Sequence, residues 1–212
     1  MKLYYFDIYG KGEQIRMLLS HAKVAFEDVR LTEESFKELK TSGTPHLEFG
    51  QLPALEVDGK FYFQTQAIVR MLGKKYGYYP EDAQLAYQVD SVIDSNADLA
   101  QHMFKIKAIT DDEEKLDAVT AFLKGYMTTW LTAHEARLVA QGHNNFLVGD
   151  KMTTADFNMA SLINSTFYNE ASEASKLIKE ILDVYPHFKG YTENVNKHLA
   201  DYLAARPSPR PF

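Results

Sequence analysis

Gly50-Gln51-Leu52-Pro53-Ala54-Leu55-Glu56-Val57-Asp58-Gly59, running on to Gln64-Thr65-Gln66-Ala67-Ile68, is the stretch that decides how this chain folds. A proline stands at the mouth of a short apolar run. Asp58-Gly59, a pair suited to a tight hairpin turn, separates Ala54 to Val57 from Phe61 to Phe63. A helix then spans Thr65 to Tyr76, with Ile68, Val69, Met71 and Leu72 as its inward positions. Strand, turn, strand and a polar pair opening a helix leave unpaired main-chain groups beside the proline and at the helix start. That is a plan for gripping a small extended peptide.

Upstream, Lys2 to Ile8 reads as a strand and Gly12 to His21 as a helix with Ile15, Met17, Leu18 and Leu19 apolar, followed by a strand over Phe26 to Val29. Strand, helix, strand implies a parallel pair with the helix crossing over. A polar helix around Glu33 to Lys40 and a loop through Gly43, Thr44 and Pro45 lead back to the deciding stretch. Downstream, the composition changes at Gly77-Tyr78-Tyr79-Pro80-Glu81-Asp82, a linker whose proline suits the first turn of a new helix. Beyond it only helical periods occur: Leu85, Val89, Val92, Ile93 and Leu99, then Leu116, Val119, Phe122, Leu123, Met127, Trp130 and Leu131. The expected architecture is an α/β domain over residues 1–77 in the order βαβ-ββα, a linker at 78–82, and an all-α domain over 83–212. The prolines of Arg206-Pro207-Ser208-Pro209-Arg210-Pro211 exclude a helix there.

With 212 residues, 45% of them hydrophobic and 25% charged, the composition is that of an ordinary globular protein. The net charge of −6 with scattered lysines and arginines gives no footprint for nucleic acid or an anionic membrane. No apolar stretch approaches the roughly 18 residues of a spanning helix, and the first residues lack the apolar core of a signal peptide, so the cytoplasm is the expected location. There is no cysteine. Disulfides and a cysteine nucleophile are therefore excluded, and any sulfur chemistry needs a sulfur that arrives with the ligand. The seven histidines show no zinc spacing, Gly10-Lys11-Gly12 lacks the rest of a phosphate loop, and no metal is expected.

On these residues the chain resembles the cytosolic glutathione transferases over nearly its whole length, as a thioredoxin-like domain followed by a helical one. Tyr5 matches the family's catalytic tyrosine, Gln51-Leu52-Pro53 its cis-proline loop, and Gln64-Thr65 its usual Gln-Ser pair. Val148-Gly149-Asp150-Lys151-Met152-Thr153-Thr154-Ala155-Asp156-Phe157 matches its C-terminal capping signature. The early tyrosine, the short linker and Asp90-Ser91-Val92-Ile93-Asp94 are closest to the sigma class, with the mu class second. The resemblance implies glutathione as co-substrate, a small electrophile as second substrate, and a homodimer.

It also implies roles. Tyr5 would donate a hydrogen bond to the bound thiolate. A charge-assisted bond of about 1.5–3 kcal/mol, at about 1.36 kcal/mol per unit, lowers a thiol pKa from roughly 8.5 by about one to two units. Tyr4 faces the other side of the strand. Leu52 would pair through its main chain, and Gln64 and Thr65 would hold the γ-glutamyl carboxylate at a helix start, although Thr65 is equally an ordinary N-cap. Phe36 and Lys40 resemble the tryptophan and lysine at the glycyl end, with the indole N–H lost. Lys11 stands where relatives carry an arginine, and is either near the sulfur or solvated. Asp98 resembles an acid that reaches across a dimer, or is an exposed helical aspartate. Ala100, Met103 and Phe104 would form a partly apolar wall for the electrophile. A prostaglandin-type isomerase and a ligand carrier or crystallin-like protein are the other readings of the same scaffold.

Overall fold

The computed structural model describes residues 1–43, 47–142, 145–169 and 175–207, so Thr44 and Pro45 of the loop and residues 208–211 of the tail lie outside the described residues. The N-terminal part comprises β1 (Lys2–Phe6), α1 (Glu13–His21), β2 (Glu27–Leu31), α2 (Glu33–Ser42), β3 (Ala54–Val57), β4 (Lys60–Phe63) and α3 (Thr65–Tyr76). The sheet order is β2-β1-β3-β4, with β1 and β2 parallel and the other pairs antiparallel. The thioredoxin-like βαβ-ββα plan is therefore present. Alternation along β1 buries Leu3 and Tyr5 and sends Tyr4 to the opposite face, where its hydroxyl donates to Glu56 Oε2 at 2.8 Å.

Three departures from the sequence reading have an identifiable physical reason. β1 ends at Phe6 because the chain leaves the sheet and tightens into a 3₁₀ turn at Gly10–Gly12, with Gly10 at φ +42°. β2 continues through Asp28 and Arg30 to Leu31, since ion pairs neutralise its charges. Asp28 accepts from Arg16 Nε at 3.0 Å and from Arg30 Nη2 at 2.8 Å, and Arg30 Nη1 meets Asp7 Oδ1 at 2.8 Å. Pro80 lies outside the next helix. Asp82 caps that helix, accepting from the N–H groups of Gln84 and Leu85 at 3.0 and 2.9 Å.

The second part is helical, and among the described residues no strand follows β4. Its elements are α4 (Ala83–Lys107), α5 (Asp112–Phe122), a π segment at Leu123–Met127, α6 (Thr128–Gln141), α7 (Thr154–Ser165), α8 (Ser175–Leu182), α9 (Pro186–His198) and α10 (Ala200–Ala205). Leu85 and Leu116, read as inward, are exposed, whereas Val89, Val92, Ile93, Leu99, Met127, Trp130 and Leu131 are buried. α7 is the hub. It packs against α1, α3, α4 and α9, with Ala155, Phe157, Met159 and Ala160 fully buried. Its entry onto the first domain needs a glycine at Gly73, where an added Cβ would strike Thr154 Cγ2, and is fixed by Thr154 N–H donating to Tyr78 O at 2.8 Å.

His134 sits in the α6 core against Trp130, with ring centroids 4.5 Å apart, and has Ser95 Oγ 3.4 Å from Nε2. Burial, aided by Arg137, pushes its pKa down to about 3 from 6.5. The native ring thus stays neutral over a range in which the unfolded one gains a proton. The unfolded state binds more protons as pH falls through that window, so His134 opposes stability progressively below pH 6.5. Denaturant unfolding at pH 7 and near pH 4 is expected to show wild type losing on the order of 3 kcal/mol relative to His134→Leu; parallel pH curves for the two proteins would contradict it.

Candidate active site

The parity of β1 and its central place in the sheet bury Tyr5 to 6% exposure. The turn after β1 then folds back over the ring. Gly10 and Gly12 lie so close that an added Cβ would come within 2.7 Å of Tyr5 Oη and of Tyr5 Cδ1, respectively. Side chains at either position would push the ring aside. The close approach lets Lys11 N–H donate to Tyr5 Oη at 2.9 Å. The Arg16 guanidinium stands 5.7 Å from the ring centroid. Burial raises the phenol pKa, while the Lys11 N–H and Arg16 pull it down. The hydroxyl therefore keeps its proton at neutral pH. With its oxygen already accepting one bond, that proton is available to an anion.

Gly10 and Lys11, directly over the phenol, line a cavity of about 420 Å³ between the two domains. Gln64 and Thr65 form the adjoining wall. Gln64 holds φ +67°, unusual for a residue other than glycine, at the N-cap of α3 and makes no side-chain capping bond. The first N–H groups of α3 are thus not capped by that side chain, an arrangement suited to a carboxylate. Lys11, Gln64 and Thr65 also border a small recess formed with Gln51, Leu52 and Pro53, where the Leu52–Pro53 peptide is cis.

The far wall is supplied by α4 and α7. Ala100 and Phe104 line it as the sequence reading placed them, whereas Met103 is half-buried against the core. Ala97 and Gln101 complete the stripe, because positions 97, 100, 101 and 104 share one helical face and 103 does not. Asn96, Asn158, Ser161 and Ser165 add polar side chains to this chamber beside Ala97, Ala100, Phe104 and Leu162. Beneath it an amide chain links the domains: Asn96 Nδ2 donates to Asn158 Oδ1 at 2.8 Å, and Asn158 Nδ2 to Gln14 Oε1 at 3.1 Å. Residues 144 positions apart in sequence meet there, which no local pattern announces.

Other expected site residues lie elsewhere. Phe36 packs edge-on against Phe6, centroids 5.2 Å apart, with the Lys40 ammonium 5.3 Å from the Phe36 ring; neither borders the cavity or the recess. Asp98 is exposed and does not line the cavity. Burial first, and the Asp98 charge second, raise the pKa of Tyr126 in the π segment. Among the described residues no group of three metal-ligating side chains converges, and no helix is long and apolar enough to cross a membrane.

Known proteins match both domains of the chain. Residues 1–74 match the glutathione S-transferase N-terminal domain and residues 97–206 the glutathione S-transferase C-terminal domain. Glutathione S-transferase 2 of Caenorhabditis elegans is 35% identical over 181 residues, covering 80% of this chain and 92% of the relative. Among solved structures, prostaglandin synthase D of Nilaparvata lugens superposes with a TM-score of 0.81 at 28% identity, covering 98% of each chain. The structure titled monomeric Na-GST-3, a glutathione S-transferase of Necator americanus, superposes with a TM-score of 0.82 at 28% identity, again covering 98% of each chain. With both domains matched, this chain belongs to the glutathione S-transferase family and has glutathione S-transferase activity.

Proposed function

We propose that the chain binds glutathione along the groove from the α3 N-terminus to the β1–α1 turn, and that Tyr5 stabilises the thiolate for attack on an electrophile in the α4–α7 chamber. The observation that carries this reading is the 2.9 Å bond from Lys11 N–H to Tyr5 Oη, which orients the phenol to give its own proton. The γ-glutamyl carboxylate would take the α3 N-terminus with Gln64 and Thr65, and the cysteinyl main chain would pair beside Leu52 and Pro53. Lys11 then serves through its main chain on Tyr5, and the residue is exposed where it borders both the cavity and the recess. Gln51 belongs with the Leu52–Pro53 loop, and Phe36 and Lys40, outside the cavity and the recess, would meet only a glycyl end that extends past them. In conjugation, the thiolate attacks the electrophilic carbon, a group such as chloride departs with the bonding pair, and the thiol proton passes to water.

A homodimer in the cytoplasm, with a detoxifying role and a sigma-like class assignment, completes the proposal. Asp98 would act only across such a dimer, since it does not reach its own cavity. Superposition on a prostaglandin synthase supports a second reading, isomerisation, in which the thiolate adds and later leaves. Mass analysis after turnover separates the two. Conjugation consumes one glutathione per product, here expected with a chlorodinitrobenzene, whereas glutathione left unconsumed while substrate is rearranged would transfer the assignment to isomerisation.

A further inference from the structure

The turn that grips Tyr5 is itself held from the far end of the chain. Arg16, 1% exposed, donates from Nη1 to Ile8 O at 3.0 Å, to Tyr9 O at 3.3 Å and to Glu13 Oε2 at 3.3 Å. Its Nε is anchored on Asp28. Glu13 is fully buried, and its second oxygen accepts from Arg206 Nη1 at 2.9 Å. The Arg206 guanidinium also lies 4.1 Å from the centroid of the buried Tyr9 ring, with Nη2 donating to Asn164 O at 3.2 Å. Tyr9 Oη in turn donates to Pro207 O at 3.0 Å. Two adjacent residues after α10 thus clamp both ends of the segment Tyr9–Glu13, which carries Gly10, Lys11 and Gly12.

We propose that Arg206 is a positioning residue for Tyr5: by holding Glu13 and Tyr9 it fixes the turn whose Lys11 N–H sets the phenol. This rests on the role given to Tyr5 above. The carboxylate of Glu13 is shared between two guanidiniums, with the Tyr202 phenol beside it. Removing Arg206 leaves Arg16 as the one guanidinium on a buried acid, which draws Arg16 from the Ile8 and Tyr9 carbonyls and loosens the turn. Arg206 touches no lining residue of the cavity in the contacts described, so glutathione binding should be spared.

The test compares Arg206→Ala, Arg206→Lys, Tyr5→Phe and the Tyr5→Phe/Arg206→Ala double variant in conjugation assays across pH. Arg206→Ala is expected to lower kcat about fivefold with KM for glutathione within about twofold, and to raise the acid limb of kcat/KM by about half a unit. Arg206→Lys should recover part of the rate, since it keeps the charge on Glu13 but loses the planar contact on Tyr9. In the Tyr5→Phe background Arg206→Ala should do almost nothing further, because both act through one hydroxyl. An unshifted pH profile, or the same fold-loss in the presence and absence of the Tyr5 hydroxyl, would overturn the inference. If Tyr5→Phe alone leaves turnover intact, the reading of Tyr5 fails instead. Should Arg206→Ala not fold, Tyr9→Phe, which deletes only the bond to Pro207, is to be read by the same pH shift and the same test in the Tyr5→Phe background.

Discussion

Replacing Tyr5 by phenylalanine is expected to lower the rate of glutathione conjugation about ten- to hundredfold while leaving glutathione affinity within a few fold. The magnitude follows from losing one charge-assisted hydrogen bond of about 1.5–3 kcal/mol, which is about one to two units of thiol pKa. The bound thiol then ionises less at neutral pH, whereas the contacts at the α3 N-terminus and beside Pro53 do not involve the hydroxyl. The substitution is a clean one in this fold. The ring stays packed between Gly10 and Gly12, and only the Lys11 N–H loses its acceptor. Tyr4→Phe is the matched control, because that hydroxyl is on the opposite face with Glu56; its turnover should change less than about twofold. Steady-state rates at saturating electrophile, with glutathione binding measured by calorimetry, check both statements. Loss of binding in Tyr5→Phe would mean that the hydroxyl serves affinity rather than ionisation.

The second large effect concerns stability. Asp156 is fully buried at the start of α7 and accepts from Leu147 N–H at 3.0 Å, Thr153 N–H at 2.8 Å and Thr153 Oγ1 at 3.0 Å. Burial pushes its carboxyl up to about 6, against the pull of those bonds, so it remains mostly ionised at neutral pH. Asp156→Ala strands two buried N–H donors and removes the clasp that directs the hub helix, with an expected loss of about 3 kcal/mol at pH 7. Asp156→Asn should fall between, since the amide offers a single acceptor oxygen. Urea unfolding measures this directly, and a loss below about 1 kcal/mol in Asp156→Ala would show that Met152 and Phe157, both buried beside it, suffice to set the helix entry.

The order of elements was legible wherever side-chain period and turn chemistry agreed. Helix α3 was read over its full span, Thr65–Tyr76, because a polar opening and Gly77 mark its two ends. Where long-range partners decide, local pattern is silent. Asp28 and Arg30 look unlike strand residues until Arg16 and Asp7 are seen beside them. Asp82 caps α4 two residues after Pro80, a role its residue type signals in the sequence.

The site was legible in part. Alternation alone separates Tyr4 from Tyr5 once one face is known to be inward. The helical spacing of Ala97, Ala100, Gln101 and Phe104 sets Gln101 and not Met103 on the cavity face. The service of Lys11 through its backbone could not be read, since every residue but proline has an N–H and only the geometry of the turn aims this one. The same holds for Arg206, whose partner Glu13 lies 193 positions away.

The most direct test is a crystal structure of the protein with glutathione bound. The sulfur should lie within hydrogen-bonding distance of Tyr5 Oη, about 3.0–3.4 Å for a thiolate acceptor, with Lys11 N–H still donating to the same oxygen. A sulfur well ordered but turned away from that ring, with Tyr5 bonded elsewhere, would contradict the role assigned to the phenol.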